Sequence, residues 1–204
     1  MYKQLFERLA APIALSGIVL QYIASSQLKA LSLIEFYSYF TILTNTLVAA
    51  YFVSSLFPKS QIYRFLHRPE TATAITVYIA VVGLVYQTLL RNLYKPEGLF
   101  IISDNLVHGL VPMMMLVYWF LYIRKQTINI HNIPKWLMYP ALFLCYSLVR
   151  GAYTHWYPYP FLNVDDLGYT KVLLNSSAIC LLFLGLSYGF YALSRLHAQQ
   201  TQST

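Results

Sequence analysis

Asp104 and His108 lie one helical turn apart, and their types and spacing are those of an acid–base pair. A histidine titrates near neutral pH and can act as a general base. A carboxylate beside it can fix which ring nitrogen carries the proton, the role of the third group in a triad. Thr41 and Thr44 supply hydroxyls that become nucleophiles only when such a base takes their proton. Ser38, Thr41 and Asn45 repeat at i,i+3 and i,i+4 steps, as do Gln87 and Arg91 at i,i+4. Arg150, His155 and Asn175 follow later in the chain. Donors on Arg150, Gln87 or Asn175 could stabilise an oxyanion. Asp104, His108, His155 and Asp165 hold ligand atoms, but no two histidines have a spacing such as H-x-x-x-H, so no metal is expected. No G-x-S-x-G, P-loop or Rossmann glycine pattern occurs, and no cofactor is expected.

Each of these residues also has a structural reading. A membrane threonine commonly bonds its own i−4 carbonyl or a neighbouring helix. Asp104 could cap a helix. Arg91 and Arg150 could reach to lipid head groups, and Asn45 and Asn175 could join helices. Glu35, near a helix start, reads as structural. His155 reads equally as a loop residue facing solvent.

The elements that must position these groups are apolar helices. Of the 204 residues, 58% are apolar and only 10% charged, against about 25% charged in soluble domains. A soluble enzyme, a disordered chain and a disulfide-stapled secreted domain are excluded. Cys145 and Cys180 lie in apolar runs, where they are expected to pack as small hydrophobes. Six spanning helices are expected, over Phe6–Ala24, Ile34–Phe57, Ala72–Leu90, Asn105–Ile123, Trp136–Tyr153 and Val172–Ser194. The predicted fold class is therefore all-α, a polytopic membrane protein with residues 1–204 as a single domain. The first helix reads as an uncleaved signal-anchor, and the polar tail from His197 as frayed. β-Barrel strands would alternate in short segments, and these runs do not.

Orientation follows the basic residues. With the N-terminus inside, Lys3, Arg8, Lys59, Arg64, Arg68, Arg124, Lys125, Lys135 and Arg195 face the cytoplasm. Lys29, Arg91, Lys95, Arg150 and Lys171 face out. This favours both termini inside. The net charge of +7 then reads as a topology signal and an attraction to anionic lipid, not to nucleic acid. In this arrangement Ser38 to Asn45, Gln87 to Arg91, Asp104 to His108, Arg150 and Asn175 all fall in the outer half of the membrane. Ionisable groups are costly there, so their agreement in depth predicts a polar cavity open outward above a nearly bare inner half. Pro112, one turn after His108, is expected to kink the fourth helix. The aromatic run from Trp156 to Phe161 reads as an interfacial anchor or as a lid across the cavity.

Phe40-Thr41-Ile42-Leu43-Thr44-Asn45, Asp104-Asn105-Leu106-Val107-His108, and Val149-Arg150-Gly151 running into Tyr157-Pro158-Tyr159-Pro160-Phe161-Leu162 resemble the bacterial six-span Pr-six-Pr family. Through the same marks the chain looks like a distant relative of the androgen-induced and androgen-dependent TFPI-regulating protein family. In that family a threonine of the second helix and a histidine opening the fourth hydrolyse fatty-acid esters of hydroxy fatty acids. The resemblance places those roles on Thr41 and His108, with Thr44 competing for the first. Arg150 and the Tyr-Pro-Tyr-Pro run look like bacterial-family features.

The expected function is an intramembrane acyl-ester hydrolase acting on a membrane lipid or other acyl-ester substrate, in a bacterial inner membrane. The alternative is a non-catalytic protein that binds or transports a lipid or small amphiphile. Transport needs polar groups toward both faces, and the expected bare inner half counts against it.

Overall fold

A computed structural model describes residues 1–28, 32–93, 96–123 and 128–202, with the backbone alone for 197–202. Lys29, Lys95, Arg124 and Lys125 of the charge argument lie outside the described residues. Among the described residues the chain is helical, without strands. It forms two compact units, Met1–Thr127 and Ile128–Thr204.

The first unit contains α1 (Tyr2–Leu28), α2 (Leu33–Phe36), α3 (Phe40–Ser54), α4 (Gln61–Leu66) and α5 (Pro69–Val85). A π-turn over Tyr86–Leu90 ends α5. α6 (Leu99–Asn105) passes through a second π-turn, Leu106–Leu110, into α7 (Val111–Tyr122). α1, α3, α5 and the α6–α7 rod pack as a bundle with alternating directions. Phe6 meets Phe52 and Tyr118 at ring-centroid distances of 6.2 and 5.5 Å, whereas Tyr22 meets Phe36 at 5.1 Å. Near the middle of α1, Gly17 faces Val107 and Val111. α5 runs against α7, because the Trp119 indole N–H donates to Thr73 Oγ1 at 2.9 Å and Gly83 abuts Pro112.

α1 is packed inside out relative to a soluble helix. Glu7, Ala10, Ala14, Gly17, Gln21 and Ala24 recur at helical spacing and are buried. Leu9 and Val19 on the other face are 58% and 54% exposed. Small residues inward let helix backbones approach closely when lipid solvates the large apolar ones. Among the described residues four helices are long and apolar enough to cross a bilayer: Tyr2–Gln27, Pro69–Leu90, Leu99–Tyr122 and Val164–Leu196.

The expected helix over Ile34–Phe57 is divided. Ser32 and Glu35 form a capping box that starts α2 early, with the Ser32 N–H donating to Glu35 Oε2 at 3.0 Å. Phe36 docks on Tyr22, the chain turns through Tyr37 and Ser38, and α3 starts after the extended Tyr39. Hydropathy does not register this break because apolar and aromatic residues stand on both sides. The fourth expected helix starts six residues earlier, at Leu99 rather than Asn105. Asp104 is thus inside the helix and does not cap it. At Pro112 the helix carries a π-turn just before the proline. Pro112 has no N–H for His108 O, and the Val111 N–H reaches back to Leu106 O instead.

The second unit holds a 3-10 turn (Ile130–Asn132), α8 (Ile133–Trp136), α9 (Met138–Thr154), a second 3-10 turn (Pro160–Leu162) and α10 (Val164–Gln202). α10 begins before the expected Val172, with a non-helical link at Gly168. Its helical backbone continues through Gln202, where a frayed tail was expected. Cys145 and Cys180 are exposed free thiols and lie outside the interior, as apolar runs facing lipid allow.

Candidate functional site

The best-organised polar cluster sits where α3, α5 and the α6–α7 rod meet. Asp104 and His108 are 3% and 8% exposed. His108 Nδ1 lies 2.9 Å from Asp104 Oδ1 and 3.2 Å from the Asp104 backbone oxygen. The backbone oxygen can only accept, so Nδ1 carries the proton and donates to both oxygens. In the neutral ring Nε2 is then left with a bare lone pair, the form a general base requires.

The other carboxylate oxygen, Asp104 Oδ2, accepts a short hydrogen bond from the Tyr86 hydroxyl. The Tyr86 ring also stacks on the His108 imidazole, with centroids 3.8 Å apart and planes 8° from parallel. Tyr86 is 4% exposed and opens the π-turn at the end of α5. Sequence reasoning missed it. It is one of 19 tyrosines, and only the packing of α5 and its π-turn against the α6–α7 rod distinguishes it.

α3 is tied to the His108 segment by Asn45. Its amide nitrogen donates to Thr41 O at 2.9 Å and to Val107 O at 3.0 Å. Both hydrogens are used on backbone carbonyls, one on each helix. The backbone of Thr41 and that of the residue before His108 are therefore bonded to one amide group. Asn45 Oδ1 is buried with no hydrogen-bond partner among the described residues. Thr41 and Thr44 are both buried, Thr44 completely. Ser38 and Thr46 bond back to Ile34 O and Ile42 O on their own turns.

The remaining expected residues lie elsewhere. Arg91 Nη1 donates to Gln87 Oε1 at 2.6 Å on the exposed surface of the first unit. Arg150, His155 and Asn175 belong to the second unit. There the Arg150 guanidinium lies over the Trp156 ring, 4.2 Å from its centroid. His155, in left-handed backbone geometry (φ 51°), is held by Asp165 Oδ2 at 3.0 Å from its Nδ1. Asn175 donates to Phe161 O at 3.0 Å and fastens the aromatic segment to α10. Tyr157 packs directly over Gly151, where a Cβ would lie 2.0 Å from the ring.

A second polar cluster occupies the opposite end of the first unit, where a nearly bare interior was expected. Glu7 is 6% exposed and accepts from the Tyr118 hydroxyl; Lys3 Nζ lies 3.7 Å from the same carboxylate oxygen. The Tyr51 and Tyr118 rings meet edge-on at 5.5 Å. Next to them His67 is sandwiched between Tyr51 and Tyr63, each centroid 4.0 Å away, with Nε2 3.1 Å from Tyr51 O. Burial pushes the His67 imidazole below its ordinary value, while the bond to Tyr51 O and the Glu7 charge oppose that shift. Lys3 with Glu7 and Tyr63 with His67 are i,i+4 neighbours, but Glu7, Tyr51, His67 and Tyr118 come from separate elements, and spacing along the chain carries no sign of their meeting.

Among the described residues no group of three His, Cys, Asp or Glu side chains is placed to hold a metal ion. No protein-family model matches the chain, and no curated protein or solved structure matches it either.

Proposed function

We propose that the chain is an intramembrane acyl-ester hydrolase, with His108 as general base, Asp104 as its orienting carboxylate and Thr41 or Thr44 as nucleophile. The observation that carries this reading is the buried His108 whose Nδ1–H is held on Asp104. Asn45 adds to it by bonding the backbones of the threonine-bearing and histidine-bearing helices. In the proposed reaction the threonine oxygen bonds to the acyl carbon as its proton passes to His108 Nε2. The alkoxide leaving group departs with that proton, and water, deprotonated in turn by His108, releases the acid from the acyl-threonine.

The membrane arrangement proposed with it has six crossings. α3 and α9 join the four longer helices, with both termini in the cytoplasm and the His108 cluster toward the outer face of a bacterial inner membrane. α3 alone, 15 residues, spans about 22 Å, short of a core of about 30 Å. α2 supplies the remaining depth. Descent shared with the Pr-six-Pr and androgen-induced families belongs to the same proposal.

The test is labelling by a fluorophosphonate probe in lipid-reconstituted protein, alongside His108→Ala, Thr41→Ala and Thr44→Ala. Labelling lost in His108→Ala and in one threonine variant is the expected result. Labelling that survives in both threonine variants removes them as nucleophiles. A second reading, passage of an amphiphile without chemistry, draws on the Glu7–Tyr118 pair, because it puts buried polar groups at both ends of the bundle. A folded protein that takes no label but binds acyl lipid would favour that reading.

A further inference from the structure

Tyr86 has two contacts that no packing requirement explains together. Its hydroxyl donates to Asp104 Oδ2 while its ring covers the face of His108. Those are the two groups whose relative orientation decides where a proton can go.

The Asp104–His108 pair is not rigid by spacing alone. Asp104 lies in the last α-helical turn of α6, and His108 lies inside the π-turn that follows. A π-turn departs from the regular i,i+4 row, so spacing brings the two side chains together without fixing their orientation. A carboxylate can also rotate about its last bond and exchange its oxygens. A hydroxyl fixed on Oδ2 opposes that rotation and keeps Oδ1 on His108 Nδ1. The imidazole can likewise turn about its ring axis, and a near-parallel aromatic ring at 3.8 Å holds its plane. Tyr86 itself opens a π-turn, so both helices leave α geometry where they face each other. Such turns recur at functional sites.

We infer that Tyr86 is the positioning residue of this site. It locks the Asp104 carboxylate and the His108 ring together, so that His108 keeps its proton on Nδ1 and presents Nε2 in one direction. The inference rests on the general-base reading of His108 for its consequence in turnover, but not for its consequence in the ring. In this scheme Tyr86 acts through its two partners.

The experiment uses the full chain in lipid nanodiscs, ¹⁵N-labelled at histidine, with His108→Gln to assign the His108 signals. Tyr86→Phe keeps the ring and removes the hydroxyl; Tyr86→Leu removes both. Unsubstituted protein should show one neutral His108 tautomer with the proton on Nδ1. Tyr86→Phe frees the carboxylate to leave Nδ1, whose one fixed acceptor is then the Asp104 backbone oxygen at 3.2 Å, and should show a second tautomer beside the first; Tyr86→Leu should also broaden the ring signals. With p-nitrophenyl octanoate as probe, kcat in Tyr86→Phe should fall about 10- to 100-fold, the range spanned by one hydrogen bond to a charged group, with KM little changed.

A single Nδ1–H tautomer retained in folded Tyr86→Phe overturns the inference, whatever turnover does. So does a tautomer mixture in the unsubstituted protein, which needs no variant to fold. If no form cleaves the ester but Tyr86→Phe releases the tautomer, the hydrolase reading fails and the positioning role stands.

Discussion

Replacing Asp104 by asparagine changes one atom in a buried cluster and should weaken the base while leaving the fold intact. The variant side chain has the same shape, and its carbonyl oxygen can still accept from the Tyr86 hydroxyl. Its amide nitrogen then faces His108 Nδ1. Two donors cannot share that contact, so the Nδ1–H keeps only the backbone oxygen of residue 104 at 3.2 Å, the tautomer with the proton on Nε2 gains population, and the base is weakened. The charge matters as well. At the 2.9 Å separation of Asp104 and His108, a carboxylate and an imidazolium attract by about 6 kcal/mol at an effective dielectric of about 20. If the amide dipole replaces half of that, about 3 kcal/mol is lost from the transition state, or about 150-fold in rate. The tautomer change adds to this figure. Ester turnover and fluorophosphonate labelling of reconstituted Asp104→Asn measure the loss, with a thermal melt as the control for folding. A folded variant that turns over the ester within a factor of about three of the parent would refute both the tautomer assignment and the role given to Asp104.

Two further substitutions test the structure of each unit away from this cluster. His67 should make stability fall as the solution is acidified. Its folded value is lowered, so the unfolded chain binds the proton first. Stability is full above the ordinary value of about 6.5 and is lost as pH falls toward the lower folded value. His67 Nδ1 has no hydrogen-bond partner among the described residues, so protonation there buries an unpaired charge. Melting temperatures between pH 7.5 and 5 should slope less in His67→Phe, and equal slopes would exclude His67 as the source. Gly151→Ala should push Tyr157 off α9, because the added Cβ would sit 2.0 Å from its ring. The expected cost is about 1 to 3 kcal/mol, read as a lower melting temperature with faster proteolysis after Trp156. An unchanged melt and cleavage pattern would mean that Tyr157 does not depend on that glycine.

The parts of this protein legible in its sequence are those set by neighbours along the chain. Asp104 and His108 are paired as their spacing predicts, because four residues of one helix bring two side chains to one face. Gln87 and Arg91 pair for the same reason. The long apolar runs are helices for a reason equally local, since backbone groups in lipid must bond within their own segment. Where expectation missed, the cause was a cue with two meanings. Ser103-Asp104-Asn105 has the composition of a helix start, yet the apolar residues from Leu99 continue the helix upstream and leave Asp104 in its interior. The break at Tyr37–Tyr39 has no hydropathic signature, and the capping box at Ser32 marks only where α2 begins.

By itself, then, the sequence determined the helical class, most of the long segments and the acid–base pair at 104 and 108. Each of these depends on interactions within a few residues and on the solvent a segment prefers. Tertiary structure decided which groups from other helices complete that pair and which charges are enclosed. Tyr86 reaches Asp104 from a different helix, Asn45 bonds Val107 across 62 positions, and Tyr118 meets Glu7 across 111. Such partners are selected by how helices stack and by which small residues let them come close. A tyrosine that locks a carboxylate and one that faces lipid are the same letter until the helices are packed.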